Sequence, residues 1–455
     1  MATLVIESDW IVPVESPSIR GGFVVVSNGR ICHVGDRLPE RFRDSPRVSL
    51  SNGAILPGLI NSHCHLELSD YSKPLEVPDH GNASGSMVGW LANVMARRMA
   101  IRDSGADIEG LKRASTVSGV RESWACGTRL VVDNITAPWS SQWCDSAARD
   151  LLQGARSDAT MALVPESPIY LLPCIELVDV TQTRMEQTWT FSQQVHNLLD
   201  ATNPLGSDPT CRSPMGLAPH APYTASKRIV ERAVHSSRAQ HGWISMHLAE
   251  SPEELEYVDL RQGPFKDWIS PWIDGEHASE IGTIQEHLQL LSGSTRALVV
   301  HGNYLRESHI DFLSTHRQNM AVVYCPRTHR HFRHSEHPTR QLVKGHVPLF
   351  LGTDSKASNP NLSVFEEWQT ACKSFPDLAP SFWMAACTTA PANFLGVQDW
   401  VGTLRLGSKS LLTCVPIEAQ SPTTEEELWQ ALLEAKRAFP LECHDRFFAY
   451  DSTPR

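Results

Sequence analysis

The chain has no apolar run near the ~18 residues that a membrane-spanning helix requires, so no membrane span is expected. Its start, MATLVIESDWIVPV, carries Glu7 and Asp9 and has no basic region ahead of an apolar stretch, so it does not read as a secretory signal. There is no CxxC pair. Eleven scattered cysteines, an odd number, fit reduced thiols and a cytoplasmic protein better than a disulfide framework. There is no basic excess: 40 Lys+Arg against 51 Asp+Glu leaves −11, which argues against a binder that tracks nucleic-acid phosphates. Internal repeats, low-complexity tracts and long linkers are also lacking. What remains is 455 residues at 41% hydrophobic and 20% charged, enough for a sizeable core, with 20 histidines whose positions carry the information.

Residues 2–6 and 23–34 read as short strands, the second run folded back at Asn28-Gly29, a hairpin signal. From residue 54 short apolar runs recur at Ala54–Ile60, Thr128–Asp133, Ile169–Ile175, Met215–Ala218, Trp243–Met246, Ala297–Val300, Met320–Tyr324 and Val347–Leu351. Helix-compatible spacing fills 87–101, 108–125, 226–240, 281–292 and 362–373. Strands alternating with helices predict an α/β fold, either a parallel barrel or an open doubly wound sheet. Gly402-Thr403-Leu404 and Ser410–Val415 read as two more strands that could join the N-terminal hairpin, and 424–437 as a last helix.

The ends of these strands carry the chemistry. His63-Cys64-His65 follows the first run, and in extended chain residues i and i+2 face the same way, so two imidazoles converge while Cys64 turns away to pack. An isolated HxH is more often two surface histidines. Here, however, His247 ends the Trp243–Met246 run with Glu250 three residues on, His301 ends Ala297–Val300, and Asp354 follows Val347–Leu351. In a barrel all four ends open onto one mouth, which predicts a shared site for a divalent metal.

These segments, Leu56-Pro57-Gly58-Leu59-Ile60-Asn61-Ser62-His63-Cys64-His65-Leu66-Glu67, His220-Ala221-Pro222-Tyr223, His247-Leu248-Ala249-Glu250, His301-Gly302-Asn303 and Gly352-Thr353-Asp354-Ser355, resemble the amidohydrolase superfamily. More narrowly, the chain is similar to the branch of cytosine, guanine and adenosine-analogue deaminases and chlorohydrolases. The resemblance implies a distorted (β/α)8 TIM barrel, residues 54–397, flanked by a small β-sandwich from both chain ends, 1–53 and 398–455, the latter including the C-terminal helix. It implies one Zn2+ or Fe2+ held by His63, His65, His247 and Asp354, with Glu250 as proton shuttle, His301 holding the attacking water and His220 as a substrate contact. A homodimer is an option it leaves open. Lys409-Ser410-Leu411 departs from relatives, which usually carry an acidic residue there, without touching the catalytic set.

Three imidazoles and one carboxylate leave a divalent cation net positive, able to lower the pKa of water towards ~7. Asp354 can accept the water's proton. Glu250 can protonate a ring nitrogen of the substrate, help worth about 10²–10⁴ in rate. A poorly basic amino-purine needs such an acid, and Glu67 with the helix around Trp90 resembles the loop that covers the pocket in nucleoside-analogue deaminases. Tyr324–His329 and Ser355–Asn359 look most like aminodeoxyfutalosine deaminases of menaquinone biosynthesis, whose substrates carry a carboxylated tail. Arg327 is then either the partner of that carboxylate or the partner of a protein acid; His329 is the member of the His329, His331, His334, His337 run expected at the pocket. That run otherwise reads as a solvated or substrate-facing loop and not a second metal site, because Arg327, Arg330, Arg333 and Arg340 alternate with it. Glu366 and Glu367 read as an exposed helix face. The rival functions are deamination of S-adenosylhomocysteine, adenosine, guanine or a pterin, hydrolysis of a chloro-triazine, and a non-catalytic scaffold.

Overall fold

The computed structural model describes residues 3–80, 84–136, 169–202, 215–417 and 422–441. Four strands open the chain: β1 (Thr3–Ile11), β2 (Ile19–Ser27), β3 (Arg30–Gly35) and β4 (Arg47–Pro57). Asn28 and Gly29 both adopt positive φ, 51° and 70°, the backbone a tight two-residue hairpin demands, and they join β2 to β3. After these come β5 (Leu59–Cys64), the short pair β6 (Asp79–His80) and β7 (Ser84–Gly85), then β8 (Thr128–Ile135), β9 (Tyr170–Leu177), β10 (Gly216–Pro219), β11 (Trp243–Leu248), β12 (Ala297–His301), β13 (Met320–Tyr324) and β14 (Leu349–Leu351). The chain closes with β15 (Leu412–Pro416) and β16 (Phe439–Leu441).

Strands β5 and β8 to β14 form one parallel sheet in chain order. Between its first and last strands the backbone nitrogens of Thr353 and Asp354 both donate to His63 O at 3.1 Å, and the Asn61 amide pairs with Thr353. The eight strands therefore curl into a nearly closed barrel, which decides against the open sheet. Most strand residues are fully buried, on the barrel axis or under the surrounding helices, so these strands read as continuous apolar runs. The helix Lys227–Ala239 shows the outer layer: Ser226 caps it by accepting from Ile229 N, and Ile229, Val230, Ala233 and Val234 form its buried stripe.

The second sheet has the order β16-β15-β4-β1-β2-β3, so both chain ends build it. Two sequence expectations are corrected here. Ala54–Ile60 is not one strand: Ala54–Pro57 pairs with β15 in the terminal sheet, and the barrel strand starts at Leu59. Gly58 makes the switch, donating to Leu411 O at 2.9 Å, where a Cβ would collide with Arg129 Cγ at 2.5 Å. Gly402-Thr403-Leu404 is a bend leading into irregular chain, not a strand, with Gly402 at φ 81° where a Cβ would meet Thr388 O at 2.6 Å. Buried Arg129 on β8 donates to Leu412 O and Leu441 O, tying the barrel to the terminal sheet. No helix among the described residues is long and apolar enough to cross a membrane.

Candidate metal centre

The C-terminal ends of β5, β11, β12 and β14 bring His63, His65, His247, His301 and Asp354 together. His65 Nε2 and His247 Nε2 are 3.2 Å apart, and Asp354 Oδ1 stands 3.6 Å from His63 Nε2 and 3.8 Å from His65 Nε2. Two ligands about 2.1 Å from a tetrahedral cation stand about 3.4 Å apart, so these spacings match one shared centre. Both ring nitrogens of fully buried His63 lack a hydrogen-bond partner among the described residues. Such orphans are rare in folded proteins unless an ion or ligand uses them. Burial lowers the pKa of His63, His65 and His247, reinforced for each by neighbouring histidines, so the imidazoles are neutral and their lone pairs available. The donor set fits a divalent cation.

Outer contacts fix which atoms face that centre. His247 Nδ1 donates to His220 O at 2.8 Å, leaving Nε2 to point inward. Ser358 Oγ donates to Asp354 Oδ2 at 2.6 Å and meets Thr328 Oγ1 at 3.0 Å, leaving Oδ1 towards the histidines. Asp133 Oδ1 accepts from Leu66 N at 2.8 Å and secures the chain just past His65. Cys64 packs away from the cluster beside Leu66 and Val131.

Glu250 lies on the loop after β11. Glu254 holds that loop by accepting from the backbone nitrogens of Ala249 and Glu250, and Asn303 donates to Glu250 O. Its Oε1 is 3.4 Å from His301 Nε2. Burial, then the charges of Asp354 and Glu254, raise Glu250 well above the ordinary carboxyl range, so it keeps a proton to give. Ala249, His301 and Asp354 all adopt left-handed φ, 55°, 68° and 57°. Strain of about 1–3 kcal/mol per such residue persists where surrounding contacts over-determine it, and it concentrates at functional sites.

The remaining sequence candidates fall on different surroundings. His220 sits beside the cluster, its ring 5.1 Å from His247 and its Nδ1 2.6 Å from Thr224 Oγ1; burial and then the charge of Arg98 lower its pKa to about 4. Trp90 is buried edge-on to Phe332 and donates to Ala357 O, three residues past Asp354. His329 is buried against Tyr324, His334 and His337 with Nε2 unpartnered among the described residues. The histidine run is therefore not a solvated loop: His329 and His337 are core residues, and His337 Nε2 bonds His301 O.

Two expected substrate contacts are corrected. Glu67 is buried and its oxygens are taken by Lys112, Arg98 and Thr136; burial pushes its pKa up, but Lys112 and Arg98 outweigh that and hold it below the ordinary range. Arg327 spends all five N–H groups inside the protein, on Glu367, Glu366, Asn361 and Ser363, so none is left for a substrate carboxylate. Its partner Glu367 is fully buried, against the expectation of an exposed face, whereas the side chain of Glu366 stays 40% exposed.

Glu176, Glu254 and Ser358 were not found from sequence. Glu176 lies near the end of β9, directly after the Ile169–Ile175 run, where the strand-end argument used for the other four strands applies equally.

A model of the amidohydrolase family matches residues 54–427. The chain belongs to the amidohydrolase family. It is a hydrolytic enzyme acting on carbon–nitrogen bonds. Among curated family relatives, the 5-methylthioadenosine/S-adenosylhomocysteine deaminase of Moorella thermoacetica is 22% identical over 430 residues, 91% of this chain and 86% of that one. Helicobacter pylori aminofutalosine deaminase, solved with methylthio-coformycin, superimposes with a TM-score of 0.73 at 18% identity, covering 95% of this chain and 97% of that one. The zinc-bound adenosine deaminase of Xanthomonas campestris gives 0.70 at 21% identity, covering 95% and 89%. These two likenesses establish the shared fold.

Proposed function

We propose that this amidohydrolase deaminates an adenine-containing small molecule and releases ammonia, with 6-amino-6-deoxyfutalosine as the favoured substrate. The observation that carries the reading is Glu250, buried 3.4 Å from His301 Nε2 with its pKa raised by that burial, at the edge of a cluster fit for one cation. Relatives named for methylthioadenosine, adenosine and aminofutalosine deamination support the adenine ring. The resemblance of the Tyr324–His329 and Ser355–Asn359 segments to aminodeoxyfutalosine deaminases is what favours the futalosine-type compound over the others.

His63, His65, His247 and Asp354 would hold Zn2+ or Fe2+, a Lewis acid that makes water nucleophilic at neutral pH. The chain's own groups then handle the protons. Glu250 donates its proton to the ring nitrogen next to the amino-bearing carbon as water adds to that carbon. Asp354 accepts the proton that the water gives up. His301 Nε2, 3.4 Å from Glu250 Oε1, is placed to hydrogen-bond the oxygen being added. Asp354 then passes the proton it took from water to the amino group, the carbon–nitrogen bond breaks to release ammonia, and the proton left on the added hydroxyl returns to Glu250 as the carbonyl forms.

The test is ammonia release by metal-loaded protein over 6-amino-6-deoxyfutalosine, adenosine, S-adenosylhomocysteine, guanine and a chloro-triazine. The highest kcat/KM should fall on the first. Equal or better turnover of another compound ends the futalosine assignment, and turnover of none of the adenine compounds ends the deaminase assignment.

A further inference from the structure

Beside the four grouped donors lies a second polar pair, Glu176 and His220, of which Glu176 Oε1 has no hydrogen-bond partner among the described residues. Glu176, 4% exposed, is the last residue but one of β9, and His220 follows the adjacent β10, with its backbone nitrogen bonded to Leu177 O at 3.1 Å. One oxygen of Glu176 and one ring nitrogen each of His220 and His247 lie within 4.8 Å of one another. Glu176 Oε1 is buried without a hydrogen bond among the described residues; His65 Nδ1 is 3.7 Å away, too far for one. An unsatisfied buried carboxylate oxygen is costly, and a fold keeps one where a ligand completes it.

A second cation does not fit this trio. His247 Nδ1 is committed to His220 O, and its Nε2 faces His65 Nε2 in the first cluster, so it has no nitrogen left for another metal. What fits is a hydroxyl-bearing ligand. A carboxylate oxygen accepts from O–H groups, and a neutral imidazole whose Nδ1 is engaged by Thr224 offers Nε2 to the neighbouring hydroxyl.

We propose that Glu176, with His220, binds the vicinal diol of a ribose joined to the base being deaminated, and so selects nucleosides over free bases. The proposal rests on the deaminase reading for the position of the base, but its test does not need turnover. The probes are adenosine and guanosine with their 2′,3′-dideoxy counterparts, titrated calorimetrically into metal-loaded Glu250→Gln protein with and without Glu176→Gln.

With Glu176 present, each riboside should bind about 10- to 100-fold tighter than its dideoxy analogue, the range for leaving a buried polar group without its partner. With Glu176→Gln that ratio should fall towards one while metal stoichiometry stays unchanged. A ratio near one in the presence of Glu176, a ratio that survives the substitution, or loss of metal from Glu176→Gln each overturns the proposal. If Glu176→Gln fails to fold, Glu176→Asp, which keeps the carboxyl group but withdraws it by one methylene, must also lower the ratio; an unchanged ratio overturns it. Absence of deamination by the native protein would remove the deaminase reading and leave the riboside ratio to be judged alone.

Discussion

Two buried polar networks sit on the same barrel and differ in what they leave undone. Around Arg327 every donor of the guanidinium has an acceptor, and Glu367 is further held by Asn359. Around His63 ring nitrogens lack partners, Glu250 keeps a proton inside the protein, and three residues hold left-handed backbone. The first network is closed and stabilises; the second is open and waits for a cation and a substrate. Buried polar residues alone do not mark a site. Buried polar residues with spare valence do.

The sharpest way to break that contrast is to remove one of the open donors. His247→Ala should lose the metal and, since a cation stabilises developing charge by several kcal/mol, turnover should fall on the order of 10³-fold or more. Metal analysis and ammonia release check both. Full turnover without metal would mean that the cluster is another closed, structural network.

Glu250→Gln comes next. It should keep the metal and lose about 10²–10⁴ in turnover. The pH profile gives an independent reading. With its pKa raised, Glu250 is a competent acid at low and neutral pH and stops being one as pH climbs through the raised value, so kcat/KM should fall on the alkaline side. The residual activity of Glu250→Gln should not share that limb. The same shift costs stability: above the ordinary carboxyl range the unfolded chain releases a proton that the folded metal-free protein retains, so its stability falls as pH rises.

Arg327→Met tests the closed network. Removing one partner of a buried ion pair costs about 3–5 kcal/mol, read as a lower denaturant midpoint. The folded fraction should keep its ratio of kcat/KM for carboxylated over uncarboxylated substrates. A collapse of that ratio would return Arg327 to the substrate.

Which parts were legible in the sequence follows from the same contrast. Period-two geometry and strand-end position found His63, His65, His247, His301 and Asp354, because a barrel sends every strand end to one mouth. The apolar runs located the eight strands, yet placed the first one early, since Ala54–Pro57 and Leu59-Ile60 read as one apolar run across Gly58 and only the pairing with β15 separates them. Arg327 could not be assigned from sequence, because its acids lie 39 and 40 residues away and only the fold brings them to its fork. Glu67 failed likewise: Lys112 and Arg98 reach it from separate helices.

Ser358→Ala should have the smallest effect and probes the border between the two networks. Ser358 is fully buried, bonded to Thr328, and touches the open cluster only through Asp354 Oδ2. Its hydroxyl satisfies one oxygen of Asp354 and so reserves the other, Oδ1, for the side facing His63 and His65. Without it the carboxylate can rotate and present either oxygen, and Thr328 loses its partner. Loss of such an outer contact typically costs about 10–100-fold in metal affinity or activity. A chelator competition should therefore show weaker metal binding in Ser358→Ala, with turnover restored when metal is in excess. Ser358→Thr, which keeps the hydroxyl, should bind metal more tightly than Ser358→Ala. If alanine and threonine bind metal equally well, Asp354 is held by its strained backbone alone, and the order of the open site comes from the strand ends and not from the side chains behind them.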